Sequence, residues 1–156
     1  VGDIQLSKAL PEHVDELLAD LRPLDRQEVE AASGEVRPAL FRALELSDDP
    51  VAMRLTDGSL VSLFGLAPIT TLSDTGSIWL LGTTKMKTHP REVIDISRRY
   101  IAFVRERYPR LMNYVDARNR PSVRWLRSIG FTVEPPTPFG LAGLLFHKFH
   151  MGFDNV

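Results

Sequence analysis

The segment from Leu111 to Phe131, LMNYVDARNRPSVRWLRSIGF, restricts the fold of this chain more than any other. Leu111–Val115 carries Leu, Met, Tyr and Val, which suit a short strand. Asp116 to Asn119 is polar and turn-like. From Arg120 to Ile129 the spacing becomes helical, with Val123, Leu126 and Ile129 on one face. Gly130 stands where a left-handed helix stop is needed, a conformation glycine reaches without steric cost. Phe131 begins the next extended run.

The rest of the chain is read against this unit. Ile4 and Leu6 alternate with polar neighbours in Asp3–Ala9, as in an edge strand. Pro11 opens a helix whose acids Glu12, Asp15 and Glu16 lie near its positive end, with Val14, Leu17, Leu18 and Leu21 as its apolar stripe. Pro23 breaks that pattern. Leu24 to Leu46 predicts a second helical region in two pieces around Ser33-Gly34, closed by Asp48-Asp49-Pro50. Val51–Leu55, Leu60–Leu66 and Ser77–Leu81 predict a three-strand meander, with Asp57-Gly58 and Ser73–Gly76 as its turns. Leu60 to Leu72 is apolar enough to be central. Thr83 to His89 reads as a polar, basic loop, and Thr88 or His89 caps a helix that starts at Pro90 and runs to Tyr108. Glu134 to Gly143 reads as a proline- and glycine-rich loop, Leu144 to His150 as a last strand, and the tail from Gly152 as frayed.

A strand-helix-strand crossover places Leu111–Val115 parallel to Ser77–Leu81. The expected fold is therefore α/β (α+β): one domain over residues 1–156, with a mixed, mostly antiparallel sheet and helices on both faces. With 156 residues and 44% hydrophobic residues, one core is sufficient. There is no cysteine, which excludes disulfides and thiol chemistry. The net charge of -1 gives no general attraction to nucleic acid or to an anionic membrane. No secretory signal is evident and no apolar run is long enough for a bilayer, so an intracellular soluble domain is expected.

The element order, with Asn119, Ser122 and the Gly130-Phe131 helix end, resembles the GCN5-related N-acetyltransferase (GNAT) fold. Leu111, Asn113, Tyr114, Val115, Asn119, Ser122, Arg124, Leu126 and Ile129-Gly130, with Trp79, the basic helix before Tyr108, Phe146 and Phe149, look like the small internal core protein family of short-tailed bacteriophages. That resemblance implies a divergent GNAT-like protein in a virion or in host cytoplasm, acting as a binding or assembly module for a protein partner and without acetyl transfer. Nucleic acid and membrane are not expected as partners. The alternative is an active acetyl-CoA-dependent N-acetyltransferase acting on a host or phage target.

The superfamily implies a glycine-rich pyrophosphate loop, a general acid and a base. The loop here, Gly82 to Pro90, holds no glycine after Gly82. Lys85 and Lys87 read either as neutralisers of phosphate charge or, more simply, as solvated lysines. The acid position, seven residues after Asn119, holds Leu126, and Tyr114 is the substitute. If acetyl-CoA binds, Leu81, Gly82, Thr83, Lys85, Lys87, Thr88 and Asn119 are expected to hold it. The amides of Leu81 to Thr83 would polarise the acetyl carbonyl, with Tyr114 and Asn119 as the catalytic candidates. No base is evident: Asp48-Asp49 and Glu28–Glu30 read as solvated helix-end acids. His147 and His150, three apart, face opposite sides of a strand. No metal site is expected. The arginines after Lys85 read as a local basic face or as solvated helix surface, depending on their pairing with acids of the first half.

Overall fold

A computed structural model describes residues 2–153. The elements in chain order are β1 (Ile4–Lys8), α1 (His13–Ala19), α2 (Pro23–Ser33), α3 (Val36–Leu46), β2 (Asp48–Leu55), β3 (Leu60–Pro68) and β4 (Thr75–Gly82), a 3-10 turn (Thr84–Thr88), then α4 (Pro90–Val104), β5 (Arg110–Asp116), α5 (Arg120–Ser128), β6 (Thr132–Val133), β7 (Thr137–Phe139) and β8 (Leu144–Met151). The sheet order is β1-β2-β3-β4-β5-β8-β6, with β7 also on β8. Every pairing is antiparallel except β4 with β5.

The alternation of β4 shows which helices cover which face. Trp79 and Leu81 pack with α1, α2 and α3 through Val14 and Leu17, Val29, and Leu40. Ile78 and Leu80 turn the other way, toward Ile101 and Val104 of α4, Val123 and Leu126 of α5, and the Phe64 and Val93 cluster. Helices therefore lie on both faces, as the sequence pattern predicts. Gly34 (φ 91°) ends α2 and Gly130 (φ 106°) ends α5, both in the left-handed region.

Several local expectations are corrected. The central strand β3 stops at Pro68, and Leu72 beyond it is 97% exposed. The polar loop after β4 is wound into a 3-10 turn. Helix α4 ends at Val104, and the buried Tyr108 instead donates its hydroxyl to Asp48 Oδ2 at 2.5 Å. Asp48 is thus the partner of a core tyrosine. The proline-rich segment holds the short strands β6 and β7, which are ordered by pairing with β8. Phe146 and Phe149 complete the core. Of the tail, Phe153 packs edge-on to His150, and residues 154–156 lie outside those described.

The decisive feature of the sheet is a partial pairing. β4 and β5 run in parallel register only at Thr75–Arg110, Gly76–Leu111 and Ser77–Met112. Beyond that rung the Asn113 side chain donates to the Ile78 carbonyl at 2.7 Å, and its own oxygen accepts the Tyr114 amide. The side chain replaces the next ladder bond, and the strands splay apart toward Gly82 and Asp116.

Candidate active site

The splay opens a cleft of about 270 Å³. Its walls are the diverging strands, with Leu80 and Tyr114 half-buried along them, and residues of α2, α4 and α5. The backbone inside it follows from strand alternation. The Ile78 carbonyl and the Gly82 amide both point away from β3, so Leu80 between them turns its N–H and C=O into the cleft.

Helix α2 closes the wide end. Asp25 Oδ2 accepts the Gly82 amide at 2.8 Å, and the Arg22 amide donates to the Gly82 carbonyl at 3.0 Å. One turn on, Glu28 Oε1 accepts the Asp116 amide at 2.9 Å. The helix therefore bonds to the C-terminal ends of both splayed strands. Asn119, 2% exposed, sits behind and donates to Asp25 Oδ1 at 3.2 Å, with Glu28 Oε1 at 3.5 Å.

The three carboxylates of this end differ in charge balance. Asp25 is chelated by the Arg22 guanidinium at 2.9 Å. Asp116 is held by Arg118 at 2.7 Å. Burial alone would raise the Asp116 carboxyl, but the Arg118 side chain and backbone donors outweigh it and hold it below the usual range. Glu28 has no cationic partner among the described residues. Burial pushes its carboxyl up to about 8; the Asp25 and Asp116 charges add to the rise, against the opposing hydrogen bonds from the Asp116 amide and Asn119. Yet Glu28 is only partly enclosed and lines the cleft. The sequence places it among solvated helix-end acids; the structure instead puts it on the cleft wall, with its carboxyl pushed up to about 8. The one cue available was the i, i+3 spacing of Asp25 and Glu28 on a helix with little apolar surface.

The residues expected to hold acetyl-CoA are dispersed. Leu81 and Tyr114 line the cleft, and Tyr114 stacks on Phe139 with ring centroids 3.9 Å apart. The Gly82 amide is taken by Asp25, and the Thr83 amide by the Val61 carbonyl at 2.9 Å. Leu81 turns its amide toward β3. The expected role of these three amides in polarising an acetyl carbonyl is therefore corrected, and the amide that faces the cleft is that of Leu80. Thr83 is buried, with its hydroxyl donating to the Leu60 carbonyl and accepting the Lys85 amide. Lys85, Lys87 and Thr88 are exposed on the turn. Met86 lies over Gly82, so the turn folds back on the strand end and presents no open ring of amides.

The neighbourhood of the α4 start is acidic as well as basic. Asp3, His89 and Glu92 bring their ligand atoms within 4.8 Å of one another. An Asp3–His89 pair at 3.3 Å and an Asp3 amide bond to Glu92 account for this arrangement. The two histidines of β8 share a neighbour, Glu134. His147 meets the Glu134 backbone carbonyl and His150 meets its carboxylate at 3.1 Å. Four of the late arginines form ion pairs: Arg99 with Asp95, Arg110 with Asp74, Arg118 with Asp116, and Arg107 with Asp48.

No protein-family model matches the sequence, and no curated protein matches it. Solved structures do. A spermidine N-acetyltransferase from Vibrio cholerae, in complex with CoA and spermine, superposes with a TM-score of 0.69 at 9% identity, over 96% of this chain and 95% of that one. A GCN5-related N-acetyltransferase from Kribbella flavida gives 0.69 at 17% identity, over 97% and 98%. The chain has the GNAT fold. A ribosomal-protein-alanine N-acetyltransferase from Brucella melitensis extends the likeness, with a TM-score of 0.67 at 16% identity over 96% and 99%. At such identities the shared property is the fold, and function has to be argued from the site.

Proposed function

We propose that this protein is an N-acyltransferase that moves an acyl group from a thioester, acetyl-CoA in the simplest case, to an amine. The observation that carries the reading is the placement of Glu28 on the cleft wall between the ends of the splayed strands, where it accepts the Asp116 amide and burial pushes its carboxyl up to about 8. A base of that strength suits an ammonium acceptor at neutral pH. Glu28 takes one proton from the ammonium, and the freed amine nitrogen attacks the carbonyl carbon. The C–S bond breaks as the departing thiolate takes a proton, for which Tyr114 on the cleft wall is the proposed donor, and the second nitrogen proton passes to the tyrosinate as the amide forms. The unpaired Leu80 N–H and C=O match the amides of a pantetheine arm lying alongside β4. The solved neighbours support the class, since all three named above are N-acetyltransferases. The phosphates of CoA would meet Lys85 and Lys87 side chains in place of a glycine loop, and we infer a weaker hold on that end.

The test is thiol release from acetyl-CoA in the presence of amines. Activity should rise with pH through about 8. Glu28→Gln should lower kcat/KM by about 10²–10⁴ while acetyl-CoA still binds. A wild-type protein that does not bind acetyl-CoA at millimolar concentration overturns the reading.

A second reading keeps the fold as a binding or assembly module. It draws on the closed turn over Gly82, the leucine at position 126 and the sequence resemblance to phage internal core proteins. On that reading the protein belongs in a virion or host cytoplasm with a protein partner. The same acetyl-CoA titration separates the two.

A further inference from the structure

Two buried hydrogen-bond donors on the cleft wall have no partner among the described residues. They are the Tyr100 hydroxyl of α4 and the Trp125 indole N–H of α5. Both residues line the cleft, on the helix face opposite α2. A buried donor without an acceptor loses its water and gains nothing in return, so such groups are rare and call for an explanation. The molecule satisfies similar groups elsewhere: the Trp79 indole donates to Ser47 Oγ at 2.7 Å, and the Tyr108 hydroxyl to Asp48. Three groups among the described residues are exceptions: these two, whose side chains line the cleft, and His150 Nδ1 on β8, which lies outside it.

Their surroundings indicate what they await. Ile78, Leu80, Ile101 and Ile129 share this wall, and Phe64 packs edge-on to Tyr100 at 4.9 Å. An ion brought to such a wall would lose its hydration without a countercharge, whereas a neutral carbonyl loses little. The Tyr100 hydroxyl stays protonated across the physiological range, because burial, reinforced by Asp48 and Asp49, pushes it up to about 12. Across the gap, Leu80 offers its backbone to the same occupant.

We infer that Tyr100 and Trp125 form a carbonyl-binding subsite, in which both side chains donate to a neutral carbonyl of the acyl-thioester arm in the cleft. This rests on the acyltransferase reading above. The carbonyl belongs either to the transferred acyl group or to an amide of the arm, and the two sources are separable by experiment.

Tyr100→Phe removes one donor and nothing else. Because that hydroxyl is unpaired in the free protein, its loss should leave the melting temperature unchanged or raise it. Acetyl-CoA should bind the variant roughly three- to tenfold more weakly, the worth of one ordinary hydrogen bond. The indole N–H resonance of Trp125 in the intact protein should move downfield when acetyl-CoA is added. A loss of affinity for acetyl-CoA alone assigns the donors to the acyl carbonyl; an equal loss for CoA assigns them to the arm. Wild-type affinity in Tyr100→Phe, or an indole resonance that does not move, overturns the subsite while the acyltransferase reading stands. If the wild-type protein binds neither acetyl-CoA nor CoA, both fall together.

Discussion

Glu28 is held in a setting that favours its proton. Its folded pKa lies near 8 against an ordinary 4.5, with burial as the main cause. The linkage has a definite sign. A group whose pKa is raised on folding contributes stability below its unfolded value, and that contribution is lost as pH rises through the folded value. Between about pH 4.5 and 8 the wild-type protein therefore gives up stability that Glu28→Gln retains, since a glutamine oxygen still accepts the Asp116 amide. Thermal denaturation at pH 5, 7 and 9 should show the variant gaining on wild type with each step. A gap that does not change with pH would mean that Glu28 is ionised as readily folded as unfolded. Asp116 contributes in the opposite sense, since its lowered pKa gives stability that disappears only in acid, so the two windows do not overlap.

At the scale of elements, α2 acts as a wedge between two strands, and Asn119 joins that wedge to the turn before α5. Its side chain supplies the donor that lies between two carboxylates. Asn119→Ala leaves Asp25 and Glu28 each short of a hydrogen bond in a buried place, at a cost of about 1–3 kcal/mol. It also removes a contact that lowers the Glu28 pKa, so the pH at which activity rises should move upward. Urea denaturation measures the first effect and a pH–rate profile the second; a stability loss with an unmoved profile would confine Asn119 to a structural role. The strand, turn and helix around Asn119 were legible in the sequence because their signals are local: alternation, helical spacing and a glycine at a positive φ. The strands β6 and β7 were not, because two or three residues carry no period and are extended only through β8. The role of α2 was hidden for a different reason. Its acids lie on the polar side of an amphipathic helix, which ordinarily faces water. Here that side faces a gap in the sheet, and the gap is a property of no single element.

At the scale of the whole molecule, the gap arises because one central strand is paired along its full length on one side and along only part of it on the other. β4 matches β3 from Gly76 to Gly82, yet matches β5 only as far as Ser77. No local pattern announces this, since Ile78 to Leu81 reads as an ordinary buried strand. A central backbone N–H without a ladder partner is uncommon, and it persists here because the cleft admits solvent or ligand. Adjacent amides of β4 should therefore behave differently in hydrogen exchange. Leu81, bonded toward β3, should exchange only through large openings, and Leu80 orders of magnitude faster through none. Saturating acetyl-CoA slows the amides that exchange through unfolding by mass action, by about 2.7 kcal/mol at a hundredfold excess over Kd. Leu80, which needs no opening, should slow only because a bound arm covers it and gives it a hydrogen-bond partner. Fast exchange at Leu80 that persists at saturation would mean that the ligand does not run along β4. Protection equal to that of Leu81 in the free protein would mean that the strands are zipped in solution, and the cleft, the base at its end and the donors on its wall would lose their common basis.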